Sequence, residues 1–287
     1  VIPAAFEYER ATSIEDALAR LHAHGADAKV IAGGQSLLPL MKLRLARPER
    51  LIDIGRLEAL RGIRDRAEGG IVIGAMTTWA ELLDDARVLA HGALADAIPS
   101  IGDVQIRNLG TIGGSLAHAD PSSDILASAL ALDLEVVLES TRGKRTVAVR
   151  DLVVGPFATV IEPDELLTEV HIPASTELRS AYRFVAQPAS GFPIAGVAVA
   201  LRLDPETHRV SSCGIGVTGV GDMPYRATDV EAAVLGGATF GEAASLVVGD
   251  RRVASDIHAD REYRSAMAVA MTRRALEAAA AGPGSVL

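Results

Sequence analysis

The sequence predicts an α+β protein of three units, and three observations carry that reading. Short apolar strands alternate with amphipathic helices over the first fifty-odd residues; strands dominate from Leu134 to Ile172; three further strands are followed only by helices. The units expected are residues 1–57, 58–176 and 177–287. At 287 residues, 49% hydrophobic and 23% charged, the chain is long enough to build more than one core.

In the first unit Phe6-Glu7-Tyr8 is extended, and Thr12 to Leu21 reads as a helix. It has a hydroxyl cap, acids in the first turn, apolar residues at Ile14, Ala17, Leu18 and Leu21, and Gly25 as its end. Lys29-Val30-Ile31-Ala32 is a buried strand running into Gly33-Gly34-Gln35-Ser36. Leu37 to Leu43 is helical with Pro39 in its first turn, and Arg50 to Ile54 is a strand. In the second unit Gly62-Ile63-Arg64 and Gly70 to Gly74 pair as strands, Thr78 caps a helix, and Trp79 is a packing residue. Helix is expected from His91 to Ile101 and from Ile125 to Leu132, the latter with Asp120 as cap and Pro121 in first position. Glu135 to Glu139, Thr146 to Val149 and Glu165 to Ile172 are strands. The third unit starts near Ser175 to Ser180, with strands at Ala181 to Ala186, Ile194 to Leu203 and Val210 to Val217, and a last helix from Glu262 to Ala281.

Charge and cysteine content exclude several functions. A net charge of −9 argues against unaided binding to nucleic acid or an anionic membrane, because either would need a basic face. No apolar run reaches the length of a membrane span, and Val1-Ile2-Pro3-Ala4 lacks the order of a signal peptide, so a soluble, cytoplasmic chain is expected. A single cysteine, Cys213, can build neither a disulfide framework, nor a four-thiolate iron–sulfur site, nor the usual structural zinc site. Its apolar setting predicts a buried strand thiol.

Two stretches stand apart: Ala32-Gly33-Gly34-Gln35-Ser36 and Thr111-Ile112-Gly113-Gly114-Ser115. Each is a glycine pair after an apolar residue, closed by a small hydroxyl side chain. Such a bare backbone can turn at positive φ and bring N–H groups close to a phosphate, so two could hold a pyrophosphate. One pair alone is ordinary turn geometry; two, each ahead of an expected helix, favour an anion site. Neither is G-x-G-x-x-G and neither is a P-loop, which removes the nicotinamide Rossmann and nucleotide-hydrolase readings.

Those two stretches resemble the FAD-binding motifs of the flavin subunits of the xanthine dehydrogenase family, the medium subunit of aerobic carbon monoxide dehydrogenase among them. Ile73-Gly74-Ala75-Met76-Thr77-Thr78, Ala119-Asp120-Pro121, Pro163-Asp164-Glu165-Leu166-Leu167 and Ala195-Gly196-Val197-Ala198 are similar to the same family, so the resemblance runs the whole length. It implies a two-subdomain FAD-binding fold of the vanillyl-alcohol-oxidase type, followed by a three-stranded antiparallel sheet with a helical bundle.

Carried over by position, the resemblance implies FAD contacts at Ala32, Gly33, Gly34, Gln35, Ser36 and Leu37 in the first loop. It implies more at Gly110, Thr111, Gly113, Gly114, Ser115 and Ala117 around the second. Asp124 matches an acid near the adenosine part, and Asp120, one turn earlier, is a second carboxylate for ribose or a helix cap. Ile101 and Leu167 match apolar positions at the flavin. Lys29 is either a charge for the anionic cofactor or a solvated lysine, and His118 either an acid or base or a structural imidazole. Gln35 stands where the carbon monoxide enzymes often have histidine and Ser115 where many relatives have asparagine. Phe184-Val185-Ala186-Gln187 lacks a lysine that some relatives place near the flavin, and Phe192-Pro193 occupies a loop where an aromatic often lies by the ring.

The family passes electrons from a molybdenum subunit through a small subunit with two [2Fe–2S] clusters to the flavin subunit, in a dimer of heterotrimers. The resemblance therefore implies an electron outlet with FAD, an iron–sulfur small subunit and a molybdenum-cofactor large subunit as partners, and no general acid, base or metal ligand of its own. Two rivals stand beside it: a stand-alone FAD-dependent oxidase or reductase, and a non-enzymatic binding protein whose glycine pairs are only turns.

Overall fold

A computed structural model describes residues 2–174 and 177–282; Val1, and Ser175 and Thr176 at the expected second boundary, lie outside the described residues. In the first sheet, β1 (Glu7–Arg10), β2 (Ala28–Ile31) and β3 (Arg50–Asp53) are parallel in the order β1-β3-β2. Helix Ile14–His24 packs Ala17, Leu18 and Leu21 inward. Its cap is Ser13, whose side chain accepts the Asp16 N–H, and it ends at Gly25 with φ 52°.

The second sheet contains β4 (Ile63–Asp65), β5 (Ile71–Gly74), β6 (Glu135–Ser140) and β7 (Gly143–Ala148). After a hairpin of β8 (Val153–Gly155) and β9 (Ala158–Thr159) comes β10 (Leu166–Ile172), the central strand of the order β4-β5-β10-β6-β7. Every neighbour in it is antiparallel. Against it pack Trp79, 1% exposed, and a set of short helices.

Three local expectations are corrected. The stretch from His91 to Ile101 is helix Gly92–Ala97 and then a 3-10 turn Ile98–Ser100, because Pro99 has no N–H for the α-helical bond. Val104–Leu109 is a helix capped by Asp103, an element with no counterpart in the sequence reading. Asp120 does not cap a helix. Its Oδ1 accepts the Ser122 N–H at 2.8 Å in a turn, and the helix runs Asp124–Ala131 with Ser123 at its N-cap.

The third sheet holds β11 (Arg179–Ala186), β12 (Pro193–Leu203), β13 (Val210–Thr218) and a two-residue β14 (Tyr225–Arg226), one more strand than expected. Helix Arg261–Ala281 covers one face, and helix Asp124–Ala131, buried along its whole length, covers the other. That second contact is unusually close. A Cβ on Gly214 would lie 2.3 Å from the Ala131 carbonyl oxygen, and one on Gly216 2.0 Å from that of Ala127. Residues two apart on a strand share a face, and residues four apart on a helix share a stripe, so the two bare positions match two successive turns. Cys213 is buried on β13 and burial pushes its thiol up to about 12, as a packing residue requires.

Candidate functional site

A cleft of about 790 Å³ opens between the end of β2, the start of β10 and the segments at residues 110–118 and 157–163. Its size suits a large cofactor. Lys29, Ala32, Gly33, Gly34, Gln35, Ser36 and Leu37 line it from the first motif; Gly110, Thr111, Gly113, Gly114, Ser115 and Ala117 line it from the second; Leu167 lines it from β10. Ile101, Asp120 and Asp124 do not line it.

The two motifs are built differently. The first is a true loop between β2 and helix Leu37–Lys42, with Gly34 at φ 70°. The N–H groups of Gly33, Gly34, Gln35 and Ser36 have no protein acceptor among the described residues, while the Gln35 side chain donates back to the Gly33 carbonyl at 2.9 Å and stiffens the turn. Four consecutive unpaired donors at a cleft wall can receive an anion.

The second motif is not a loop ahead of a helix. Thr111 is itself the N-cap, and Gly113 and Gly114 lie in the first turn of helix Ile112–His118. Its donors are already used: Ile112 N–H reaches the Thr77 carbonyl at 3.1 Å, Gly113 that of Ala75 at 3.0 Å, Gly114 the Thr111 hydroxyl at 3.1 Å and Ser115 the Thr111 carbonyl at 3.1 Å. What this turn offers is space and the Ser115 hydroxyl.

The glycines themselves divide by purpose. A Cβ on Gly33 would lie 1.9 Å from the Leu109 carbonyl oxygen, and one on Gly113 2.5 Å from the Ala75 Cβ, so these two let one segment of protein lie against another. Gly114 faces outward: its Cβ would meet only the Thr111 hydroxyl at 2.8 Å and the Ala32 Cβ at 3.8 Å.

Charge in the cleft is sparse. Among the described residues Lys29 is the one lysine on its wall and no arginine lines it, so an anion there must be held chiefly by N–H groups. Glu165 is a buried carboxylate on the wall; burial works against its charge, but Arg145, bidentate at 2.7 Å and 2.7 Å, holds it below the usual carboxylate range. His118 is pushed below its ordinary value, first by burial and further by Lys29, with Asp120 opposing.

Asp124 and Ile101 belong together, behind the cleft. Asp124 Oδ1 accepts from Tyr182 Oη at 2.8 Å and lies 3.2 Å from Ser100 Oγ, next to Ile101, which packs on the main core. Burial pushes the Asp124 carboxyl up to about 6, with Tyr182 and Ser100 pulling the other way. Sequence reasoning also missed Ala75, Met76, Phe157, Thr159, Ile161 and Leu166 on the cleft wall. Leu166 is adjacent to Leu167 in a recognised segment, whereas nothing in Gly155-Pro156-Phe157 marks the aromatic.

Residues 4–175 match the FAD binding domain in molybdopterin dehydrogenase, and residues 180–279 match the CO dehydrogenase flavoprotein C-terminal domain. The carbon monoxide dehydrogenase medium chain of Hydrogenophaga pseudoflava is 39% identical over 97% of this chain and 98% of its own length. The glyceraldehyde dehydrogenase medium chain of Sulfolobus acidocaldarius is 36% identical over 82% of this chain and 82% of its own. Among solved structures, carbon monoxide dehydrogenase from Hydrogenophaga pseudoflava lacking the Mo-pyranopterin moiety superposes with a TM-score of 0.93 at 40% identity, covering 98% of this chain and 99% of that one. Quinoline 2-oxidoreductase from Pseudomonas putida does so with 0.90 at 30% identity, covering 98% and 99%. The chain belongs to the family of FAD-binding flavoprotein subunits of molybdopterin dehydrogenases, and FAD is its cofactor.

Proposed function

We propose that this chain is the electron outlet of a cytoplasmic molybdenum hydroxylase, receiving electrons from [2Fe–2S] clusters on a small subunit and delivering them to an external acceptor. A molybdenum-cofactor large subunit completes the heterotrimer, and two heterotrimers pair. FAD exchanges electrons singly or in pairs, which suits a junction between one-electron clusters and a two-electron acceptor. The chain's residues hold it. The free N–H groups of residues 33–36 receive the pyrophosphate, Ser115 donates from the facing helix, and Gly114 and Ala117 leave room. Lys29 adds a positive charge, and Leu37, Leu167 and the wall around Gly110 and Thr111 exclude water. Ile101 and Asp124 act from behind the wall, and Asp120 through its turn. The units meet at 57/58 and 176/177 in this reading.

The observation that carries the proposal is the run of four unpaired N–H groups in a cleft of cofactor size, on a chain whose single buried thiol cannot ligate a cluster. None of the described helices is long and apolar enough to cross a membrane. The test uses the complete complex stripped of FAD and offered carbon monoxide, a purine, an aldehyde and a nitrogen heterocycle in turn. The active substrate should still bleach the iron–sulfur absorption while reduction of the external acceptor is lost, and added FAD should restore it. Acceptor reduction that persists without FAD, or oxidation of any of these by the lone chain, contradicts the proposal.

A further inference from the structure

His118 and Phe157 are the only aromatic rings among the described residues that line the cleft, and they touch: their centroids are 5.1 Å apart and tilted by 45°. Phe157 is 58% exposed, an unusual state for a phenylalanine on the wall of a concave site. Its backbone is also held against its preference. Phe157 sits at φ 56° and Ala119, next to His118, at φ 51°, and the Phe157 N–H donates to the Ala119 carbonyl at 3.1 Å. Two non-glycine residues in the left-handed region, tied to each other, fix the hairpin of β8 and β9 against the end of helix Ile112–His118. Strain retained at a cleft wall points to a use for the side chain it presents.

We propose that Phe157, backed by His118, is the stacking platform for the adenine base of FAD. This rests on the reading that the cleft holds FAD. The rings are too close together to admit a base between them, so the base lies on the free face of Phe157 while His118 steadies the other side. The pair's position selects adenine over isoalloxazine. His118 is four residues after Gly114, a rise of about 6 Å along the helix from the turn that faces the pyrophosphate-binding loop, and of the two arms of FAD the adenosine arm, with one ribose between phosphate and base, is shorter than the ribityl arm. A largely uncharged imidazole suits this supporting role, since it brings no desolvation cost of a cation under the base.

The test compares Phe157→Gly, which removes the ring and relieves the backbone, with Phe157→Tyr, which keeps a ring, in the full-length chain freed of FAD. Calorimetric titration with ADP and with FAD is the readout, and the melting temperature without ligand checks folding. Phe157→Gly should weaken both ligands by about tenfold, as expected for loss of one base–aromatic stack, Phe157→Tyr should stay within about twofold of the parent, and the visible absorption bands of bound FAD should not move. Gly114→Val is the control for the cleft itself. If Gly114→Val loses FAD while Phe157→Gly binds ADP as the parent does, or if Phe157→Gly shifts the flavin bands, the adenine platform is overturned and the cleft stands. If neither variant changes FAD binding, the cleft assignment falls with it.

Discussion

Tyr182 donates its phenolic hydrogen to Asp124 at 2.8 Å, joining the first strand of the third sheet to the N-terminus of the helix that lies between the second and third sheets. Both side chains are buried, and Phe184 stacks on the Tyr182 ring with centroids 5.4 Å apart. Around this bond the Tyr182 N–H donates to Asp96 at 3.0 Å, and the Ala93 N–H to Ser180 Oγ at 3.0 Å. The pair is the buried centre of a line of polar contacts that ties helices Gly92–Ala97 and Asp124–Ala131 to β11.

Tyr182→Phe should therefore destabilise the chain out of proportion to one oxygen atom. It leaves a buried carboxyl with Ser100 as its remaining hydroxyl partner, a loss of about 1–3 kcal/mol, or roughly 2–6 °C in melting temperature. Calorimetry of the two proteins checks it; an unchanged melting temperature would show that this junction does not depend on this bond.

Asp124 also gives the stability a pH dependence of definite sign. Its folded carboxyl titrates near 6 against an ordinary 3.8, so the folded state holds the proton more tightly than the unfolded one. The resulting stabilisation is complete below about pH 4 and is lost as pH rises through about 6. Glu9, Asp16, Asp53 and Asp164, held below their ordinary values, act with the opposite sign, losing stability as pH falls. The clean quantity is thus a difference: Asp124→Asn should gain on the parent between pH 4 and 7 by on the order of 2 kcal/mol, in denaturant titrations at several pH values. A difference independent of pH would remove Asp124 as the titrating group.

Gly33 and Gly114 should fail in different ways. Gly33→Ala sets a Cβ 1.9 Å from a backbone oxygen that cannot turn aside, so the melting temperature without ligand should fall by several degrees, equivalent to about 2 kcal/mol or more. Gly114→Val points its side chain into the cleft and crowds only the Thr111 hydroxyl, 2.8 Å away, which can turn, so that temperature should fall less than in Gly33→Ala while FAD affinity drops at least about tenfold, or roughly 1.4 kcal/mol. Melting curves and FAD titrations on the two variants separate a glycine kept for protein contact from one kept for the ligand.

Arg264 should tolerate no substitution. It is 5% exposed, and its guanidinium donates to the Ile194 carbonyl at 2.9 Å, the Gly219 carbonyl at 2.6 Å and Asp256 at 2.5 Å, holding the ends of β12 and β13 to helix Arg261–Ala281. Arg264→Ala strands two carbonyls and should cost about 3–5 kcal/mol. Arg264→Lys, a point charge without the planar fork, should recover only part of it. Equilibrium unfolding of both variants gives the comparison.

Much of this was legible in the sequence because the signals were local. A hydroxyl cap beside Thr12, Gly25, Thr78 and the alternation of Leu166 to Ile172 are written within a few residues of where they act, and the long terminal helix declares itself by length. What stayed hidden depends on distant partners. Gly113 and Gly114 read as a loop because glycine disfavours helix interiors, yet Thr111 caps them into a helix whose N–H groups are anchored at Ala75 and Thr77. Asp124 reads as a ligand because the family resemblance places an acid near adenosine at that position; the fold adds Tyr182, fifty-eight positions away, as its partner. Phe157 carries no pattern at all, since its importance comes from a hairpin folded over the end of another element.

If the backbone of residues 33–36 grips the pyrophosphate, amide hydrogen exchange reads it directly. With no acceptor among the described residues, the N–H groups of Gly33, Gly34, Gln35 and Ser36 should exchange fast in the FAD-free chain and slow markedly on adding FAD, while Gly113 and Gly114, already bonded, change little. Exchange at residues 33–36 that is already slow without FAD, or that FAD leaves unaltered, would contradict the account.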